Sequence, residues 1–310
     1  MRFVLVALAV VGCHHNPGTP GPSTPANKAA APDYRTTADD ELGFLPVGTD
    51  IVIGMNVTQF RGTAMWNSLQ PQIDGFRREL EQIVGDCSHP NPIDTIERGT
   101  VAINLAPDGN PHGVFVVRGI DTTRVLDCMI QQMKKEGGTG MLDRGVAIMS
   151  MPGSRTQLAA AVVGPSTLVM QTETTVTYDS MTKILTSGSP LRSSPVFMEF
   201  YKRREAGASF WGMANGNAWF FEELAQMGMR PKSLDGTLIV TDRLAFSIRM
   251  TMASPADAAK VSAELDKIKG PAGGFVQQFD TRIDDATLRI HVVMTEQQVR
   301  GLAGMLGGMP

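Results

Sequence analysis

The sequence predicts an α+β protein made of two tandem copies of one unit, each an antiparallel sheet with helices packed on one face. Two observations predict it. Apolar residues switch repeatedly between helical spacing and strand alternation, the patterns of amphipathic helices and half-buried strands. The same order of elements also occurs twice. Arg61 to Leu69 matches Arg192 to Phe200 as Arg, hydroxyl, apolar, aromatic and apolar residues. Gly99-Thr100-Val101 and Gly236-Thr237-Leu238 both open strands, and Asp121 and Ser254 both stand at helix starts. The three anchors share an offset of roughly 130 residues, too long for solenoid units and suited to paralogous domains. The division expected is 1–12 as a leader, 13–33 as a tether, and 34–188 and 189–310 as the two copies.

The elements follow in order. Asp50 to Val57 is apolar enough for a buried strand and is entered from the Pro46 to Gly48 turn. Trp66, Leu69, Ile73, Phe76, Leu80 and Ile83 form a helical stripe, and Pro71 should break it into a short and a longer helix. Gly99 to Ala106 and Gly113 to Arg118 read as a hairpin across Pro107-Asp108-Gly109-Asn110-Pro111. Asp121 is the expected N-cap of a helix burying Val125, Met129 and Met133, stopped by Gly137-Gly138. Strands are expected at Val146 to Met151, Leu158 to Val163 and Thr167 to Gln171.

In the second copy, Thr237 to Thr241 and Leu244 to Met252 form a hairpin. Ser254-Pro255 starts a helix with a cap and a proline at its first position, burying Ala258, Val261, Leu265 and Ile268. Phe275 to Ile283 and Ala286 to Met294 are another hairpin, turning at Asp284-Asp285. Thr295-Glu296-Gln297-Gln298 is a capping box for a last helix.

Composition narrows function. With 28 Lys plus Arg against 31 Asp plus Glu, and no basic block longer than Lys202-Arg203-Arg204, a nucleic-acid partner is not expected. Met1-Arg2 precedes the apolar run Phe3 to Val11, then Gly12 and Cys13. That run is far short of the roughly 20 residues needed to span a bilayer, so it reads as a cleaved leader. Val10-Val11-Gly12-Cys13 resembles the bacterial lipobox, which makes Cys13 the expected site of lipidation and its acyl chains the link to a membrane. Residues 14–33 carry Pro17, Pro20, Pro22, Pro25 and Pro32 among small polar residues, an extended tether able to reach on the order of 60 Å. Such an anchor implies an extracytoplasmic location on a bacterial membrane, the outer one expected over the inner.

Cys87 and Cys128 then remain as an even pair in an oxidising compartment, where a disulfide persists. Chain-entropy theory gives roughly 4 kcal/mol for closing a loop of that length.

Catalytic and metal motifs are weak. Met149-Ser150-Met151, Met227-Gly228-Met229 and Met250-Thr251-Met252 could offer thioethers to Cu(I). On a strand, however, residues two apart share a face, and Met250 and Met252 continue the apolar row of Phe246 and Ile248. Ser180-Met181-Thr182-Lys183 matches the acylating Ser-x-x-Lys pair, but its companion motifs are missing and Ser180 is expected inside a helix, away from its start. The five histidines are 14, 15, 89, 112 and 291. His89 and His112 fall in Pro-rich turns and His291 on the polar face of a strand, none with a visible partner. No catalytic, cofactor or metal site is expected. Trp211, Trp219, Phe220 and Phe221 cluster around the turn Asn215-Gly216-Asn217. They read as core, or as an apolar patch for a ligand or protein partner.

The lipobox, the tether, the entry Leu45-Pro46 to Asp50-Ile51-Val52, the paired Cys87 and Cys128, Gly113 to Gly119 and the ending Leu302 to Met309 resemble a family of bacterial surface or periplasmic lipoproteins with no assigned activity. The expectation is therefore a lipid-anchored, non-enzymatic protein that works by binding or as a structural part of the envelope. The alternatives are a carrier of lipid or another apolar ligand, and an enzyme whose site is assembled only by the fold.

Overall fold

The structure, a computed structural model, describes residues 41–71, 73–75, 77–78, 91–105, 111–186, 191–218, 221–226, 228–299 and 301. The leader, the tether, Cys13, Cys87, Trp219 and Phe220 lie outside these residues. In chain order the first half contains β1 (Ile51–Asn56), α1 (Val57–Arg61), α2 (Ala64–Ser68), α3 (Pro92–Thr95), β2 (Arg98–Leu105), β3 (Pro111–Arg118), α4 (Val125–Lys135), β4 (Thr139–Asp143), β5 (Val146–Ser150), β6 (Gln157–Val163), β7 (Thr167–Glu173) and α5 (Tyr178–Thr186). The second contains α6 (Pro195–Arg203), β8 (Phe210–Asn215), α7 (Phe221–Gln226), β9 (Pro231–Val240), β10 (Arg243–Met252), α8 (Pro255–Ala272), β11 (Gln278–Asp284) and β12 (Thr287–Thr295). The class is α+β, with a large antiparallel sheet and helices packed on it.

The chain divides into two compact units that interleave along the sequence. One holds 71–96 and 114–188, the other 41–70, 97–113 and 189–310. Strands β1 and β2, from the first half of the chain, therefore fold with the second half.

The first unit has the strand order β3-β7-β6-β5-β4. Val125, Ile130 and Met133 of α4 pack on Ala147, Met149, Ala160 and Leu168. Helix α5 takes the other face, where its Ser180 Oγ donates to Gln171 Oε1 at 3.2 Å. With helices on both faces, Ala159, Ala160 and Ala161 of β6 are all fully buried. The expected N-cap is displaced: α4 starts at Val125 behind Arg124, which makes no side-chain cap. Asp121 instead accepts from the Thr123 N–H at 2.9 Å, and the Thr123 side chain, together with that N–H, holds its carboxyl below the ordinary range. Strand β4 was not expected from the sequence. It is an exposed edge, with Met141 and Leu142 in solvent, so its pattern never alternates.

The second unit has the order β11-β12-β10-β9-β8-β1-β2. Within it β1 pairs with β8, with Val52 opposite Met213 and Gly54 opposite Trp211. One face carries α7 and α8. Phe221 packs with Ala214 and Ala218, and Ala258 and Val261 pack with Met252 and Leu288. Helix α8 begins as the sequence indicated, Ser254 accepting from the Asp257 N–H ahead of Pro255. Helix α6 lies on the opposite face, where Tyr201 meets the Trp211 ring edge-on at 5.3 Å. Helices on one face only is therefore corrected in both units. Two-layer packing was inferred from the alternating strands, whereas β6 and β8 are covered on both sides.

Candidate functional site

Beyond α6, no described residue covers the face of the sheet that carries Trp211. Strand alternation decides what stands there. In β10 the series Phe246-Ser247-Ile248-Arg249-Met250 and in β12 the series Leu288-Arg289-Ile290-His291-Val292 turn every second residue to that side. The apolar members go under α8 and the polar ones face out. Register aligns them into two rows. Asp235, Arg249, Arg289 and Arg282 face each other across β9, β10, β12 and β11, and Thr237, Ser247, His291 and Asp280 form the next row. With Arg203 and Glu205 at the rim, they line a cavity of about 410 Å³.

The interactions inside it are polar. Asp235 is buried, its side chain 10% exposed, and it accepts from Arg249 Nε at 3.1 Å and from an Arg203 terminal nitrogen at 3.4 Å. Burial pushes its carboxyl above the usual range, with Arg249 and Arg203 opposing the shift. A residue so perturbed in a cavity is a natural marker of a functional site. Glu205 Oε1 accepts from Thr237 Oγ1 at 3.3 Å, and Asp280 accepts from the Gln278 amide.

Ser247 Oγ and His291 Nδ1 are 3.3 Å apart. The sequence reading placed His291 on the polar face of a strand with no partner in view, and Ser247 corrects that. With Asp280 across from His291, the trio has the residue types of an acyl-transfer triad. Ser247, however, lies mid-strand with ladders on both sides, so its surrounding N–H groups are bound within the sheet and do not form an oxyanion hole.

The expected aromatic patch is not formed by its described members. Trp211 is 7% and Phe221 3% exposed, and they lie on opposite faces of β8, Trp211 with Tyr201 and Phe221 with Ala214. Both belong to the core because each side of β8 is covered by a helix. Met149 and Met151 pack in one core, Met229, Met250 and Met252 in another. Ser180 lies in the first turn of α5, not deep within it. Its Oγ accepts from the Thr177 N–H while Thr177 Oγ1 accepts from the Ser180 N–H, both at 3.0 Å, a helix cap and not a nucleophile. Cys128 stands half-buried on α4. Among the described residues no helix is long and apolar enough to cross a membrane.

Fold and site together define the class: an α+β protein with a broad antiparallel sheet and one open, polar sheet face. No protein-family model matches the chain, and no curated protein matches it either. Solved structures of TP0453 are similar in fold. Crystal form I superposes with a TM-score of 0.57 at 10% identity, covering 88% of this chain and 99% of the other. Crystal form III gives 0.54 at 10% identity, covering 85% and 97%. At that identity the likeness concerns the fold alone.

Proposed function

We propose that this chain is a lipid-anchored extracytoplasmic protein of the bacterial envelope that works by binding, without catalysis, and that its ligand seat is the open face of β9, β10, β12 and β11. The anchor rests on Val10-Val11-Gly12-Cys13 and the Pro-rich 14–33 that follow it. The observation that carries the binding role is the cavity of about 410 Å³, lined by charged and hydroxyl groups that stand on strands except for Arg203 and Glu205 at the rim. Strand-borne groups are held in place by the ladders, which suits recognition by geometry. Against catalysis, the backbone N–H groups around Ser247 are bound in the ladders on both sides, and among the described residues no oxyanion donor stands beside the Ser247 and His291 pair. An acyl chain would meet guanidinium and carboxylate groups in this cavity, so the geometry favours a polar ligand over an apolar one.

We also propose that Cys87 bonds Cys128, as a staple of the oxidised protein. It is supported by the Cys128 sulfur being in a disulfide, with Cys87 and the lipidated Cys13 as the only other cysteines of the chain.

Internal duplication is the third part of the reading. Gly99 stands at the start of β2, whereas Gly236 lies inside β9, which corrects the expectation that both open strands; Asp121 and Ser254 precede α4 and α8, and these two anchors support the duplication. The other anchor does not: 61–69 follows β1, whereas 192–200 precedes β8.

Metabolic labelling with palmitate tests the anchor. The full-length protein is expected to incorporate label and partition with membranes, and Cys13→Ser to do neither. Labelling that survives Cys13→Ser, or its absence in both, overturns the anchored reading.

A further inference from the structure

We infer that the open sheet face binds a phosphate-class anion through Arg249, Arg289 and Arg282, an assignment that rests on the binding role proposed above and names its ligand class. The three arginines stand on adjacent strands in one register row, Arg249 opposite Arg289 and Arg289 opposite Arg282. Neighbouring strands are about 4.8 Å apart, so three guanidinium stems are rooted within roughly 10 Å on one side of a sheet. Like charges directly opposite each other destabilise a strand pair. A fold that keeps three in a row has a charge density that an anion relieves.

Four arginines line the cavity against three carboxylates, Glu205, Asp235 and Asp280, which offset the positive charge without cancelling it. Asp235 is shared between Arg249 and Arg203, Glu205 is bonded to Thr237, and Asp280 to Gln278. Arg249 uses its Nε for Asp235, leaving its terminal nitrogens to a ligand. Arg289 is held by Asp284 at 3.0 Å, but the two side chains are 51% and 60% exposed, so that pair is weak. Arg282 makes no ion pair or hydrogen bond among the described residues. Ser247 and His291, next to the row, add further groups able to donate to oxygen. Planar guanidinium forks match the paired oxygens of phosphate, which makes phosphate chemistry the best complement. Either a phospholipid headgroup or a soluble phosphate compound can bring that chemistry.

The experiment titrates the full lipidated protein, held in neutral detergent, with inorganic pyrophosphate by calorimetry. Saturable binding is expected, weakening with added salt. Arg282→Gln and Arg289→Gln should each weaken it by about tenfold, the loss of one charge-assisted hydrogen-bonding group. Arg243→Gln, outside the row, should leave binding unchanged. Because Arg282 is exposed and makes no ion pair among the described residues, its variant keeps the fold, and unchanged thermal unfolding checks this. Doping the micelles with phosphatidylglycerol or with phosphatidylcholine separates the sources. Displacement of pyrophosphate by the anionic lipid alone assigns a headgroup, and no displacement by either assigns a soluble phosphate. No saturable binding, or equal binding by wild type and the Arg282 and Arg289 variants, overturns the assignment. Palmitate labelling of Cys13 is independent of that result, so the anchor and the anion seat fail separately.

Discussion

At the scale of single residues, Gly54 shows how one side chain dictates another. A Cβ on Gly54 would lie 2.1 Å from the Trp211 ring, which fills the place of the missing side chain directly across the strand pair. Tyr201 then closes over the indole, so the glycine, the tryptophan and helix α6 are one packing unit. Gly54→Ala should cost about 3 kcal/mol, the upper part of the range for overpacking a core, seen as a lowered urea midpoint. Combining it with Trp211→Leu should recover part of the loss. Additive losses would show that the ring and the glycine do not compete for space. Nothing in Ile51-Val52-Ile53-Gly54-Met55 announces this. The glycine reads as a weak point of a strand until its cross-strand partner is known.

At the scale of elements, Asp235 couples β9 to β10 through Arg249 and to the end of α6 through Arg203. Its carboxyl titrates higher in the folded protein than the ordinary 3.8, so the folded state binds the proton more tightly than the unfolded one. Stability then falls as pH rises from the ordinary carboxylate value through the folded-state value. Asp235→Asn should remove this component and flatten the dependence of the urea midpoint on pH above about 4. Wild type and variant with parallel profiles would refute the coupling.

Elements were legible in the sequence wherever local chemistry sets them. Ser254-Pro255 starts α8 and Thr295 caps the turn at 296–299, its Oγ1 accepting from the Gln298 N–H at 3.3 Å. The alternation of β10 and β12 was legible too, and read to its end it foretells one covered and one open face. The unbroken run Leu158-Ala159-Ala160-Ala161-Val162-Val163 in β6 carries the opposite message, burial on both faces, and points to α5 opposite α4. The site itself was harder to see. Arg249, Arg289 and Arg282 are far apart in the chain, and only strand register puts them in a row.

At the scale of the molecule, the proposed Cys87 to Cys128 bond constrains the unfolded chain more than it adds contacts to the folded one. Denatured, unreduced protein should show no free thiol from this pair. Cys128→Ala should lower stability by about 4 kcal/mol, and adding Cys87→Ala should cost little more, because one bond is lost once. Two titratable thiols would end the proposal. The compact units, unlike the elements, could not be read from the sequence, because contiguous halves are the default reading of a duplication. Pairing of β1 with β8 recruits 41–70 and 97–113 to the second half.

That recruitment orders events in time. Strand β1 is made early, yet one of its two partners, β8, follows only after β2 to β7 and α4 to α6 have been synthesised. Until Ile51 meets Ala214, one edge of β1 is an unpaired row of N–H and C=O groups beside an apolar strand, the surface on which chains aggregate. Contacts so distant in sequence form slowly. The second unit is therefore completed only near the end of the chain's delivery, and its early segments depend until then on whatever shields an emerging polypeptide.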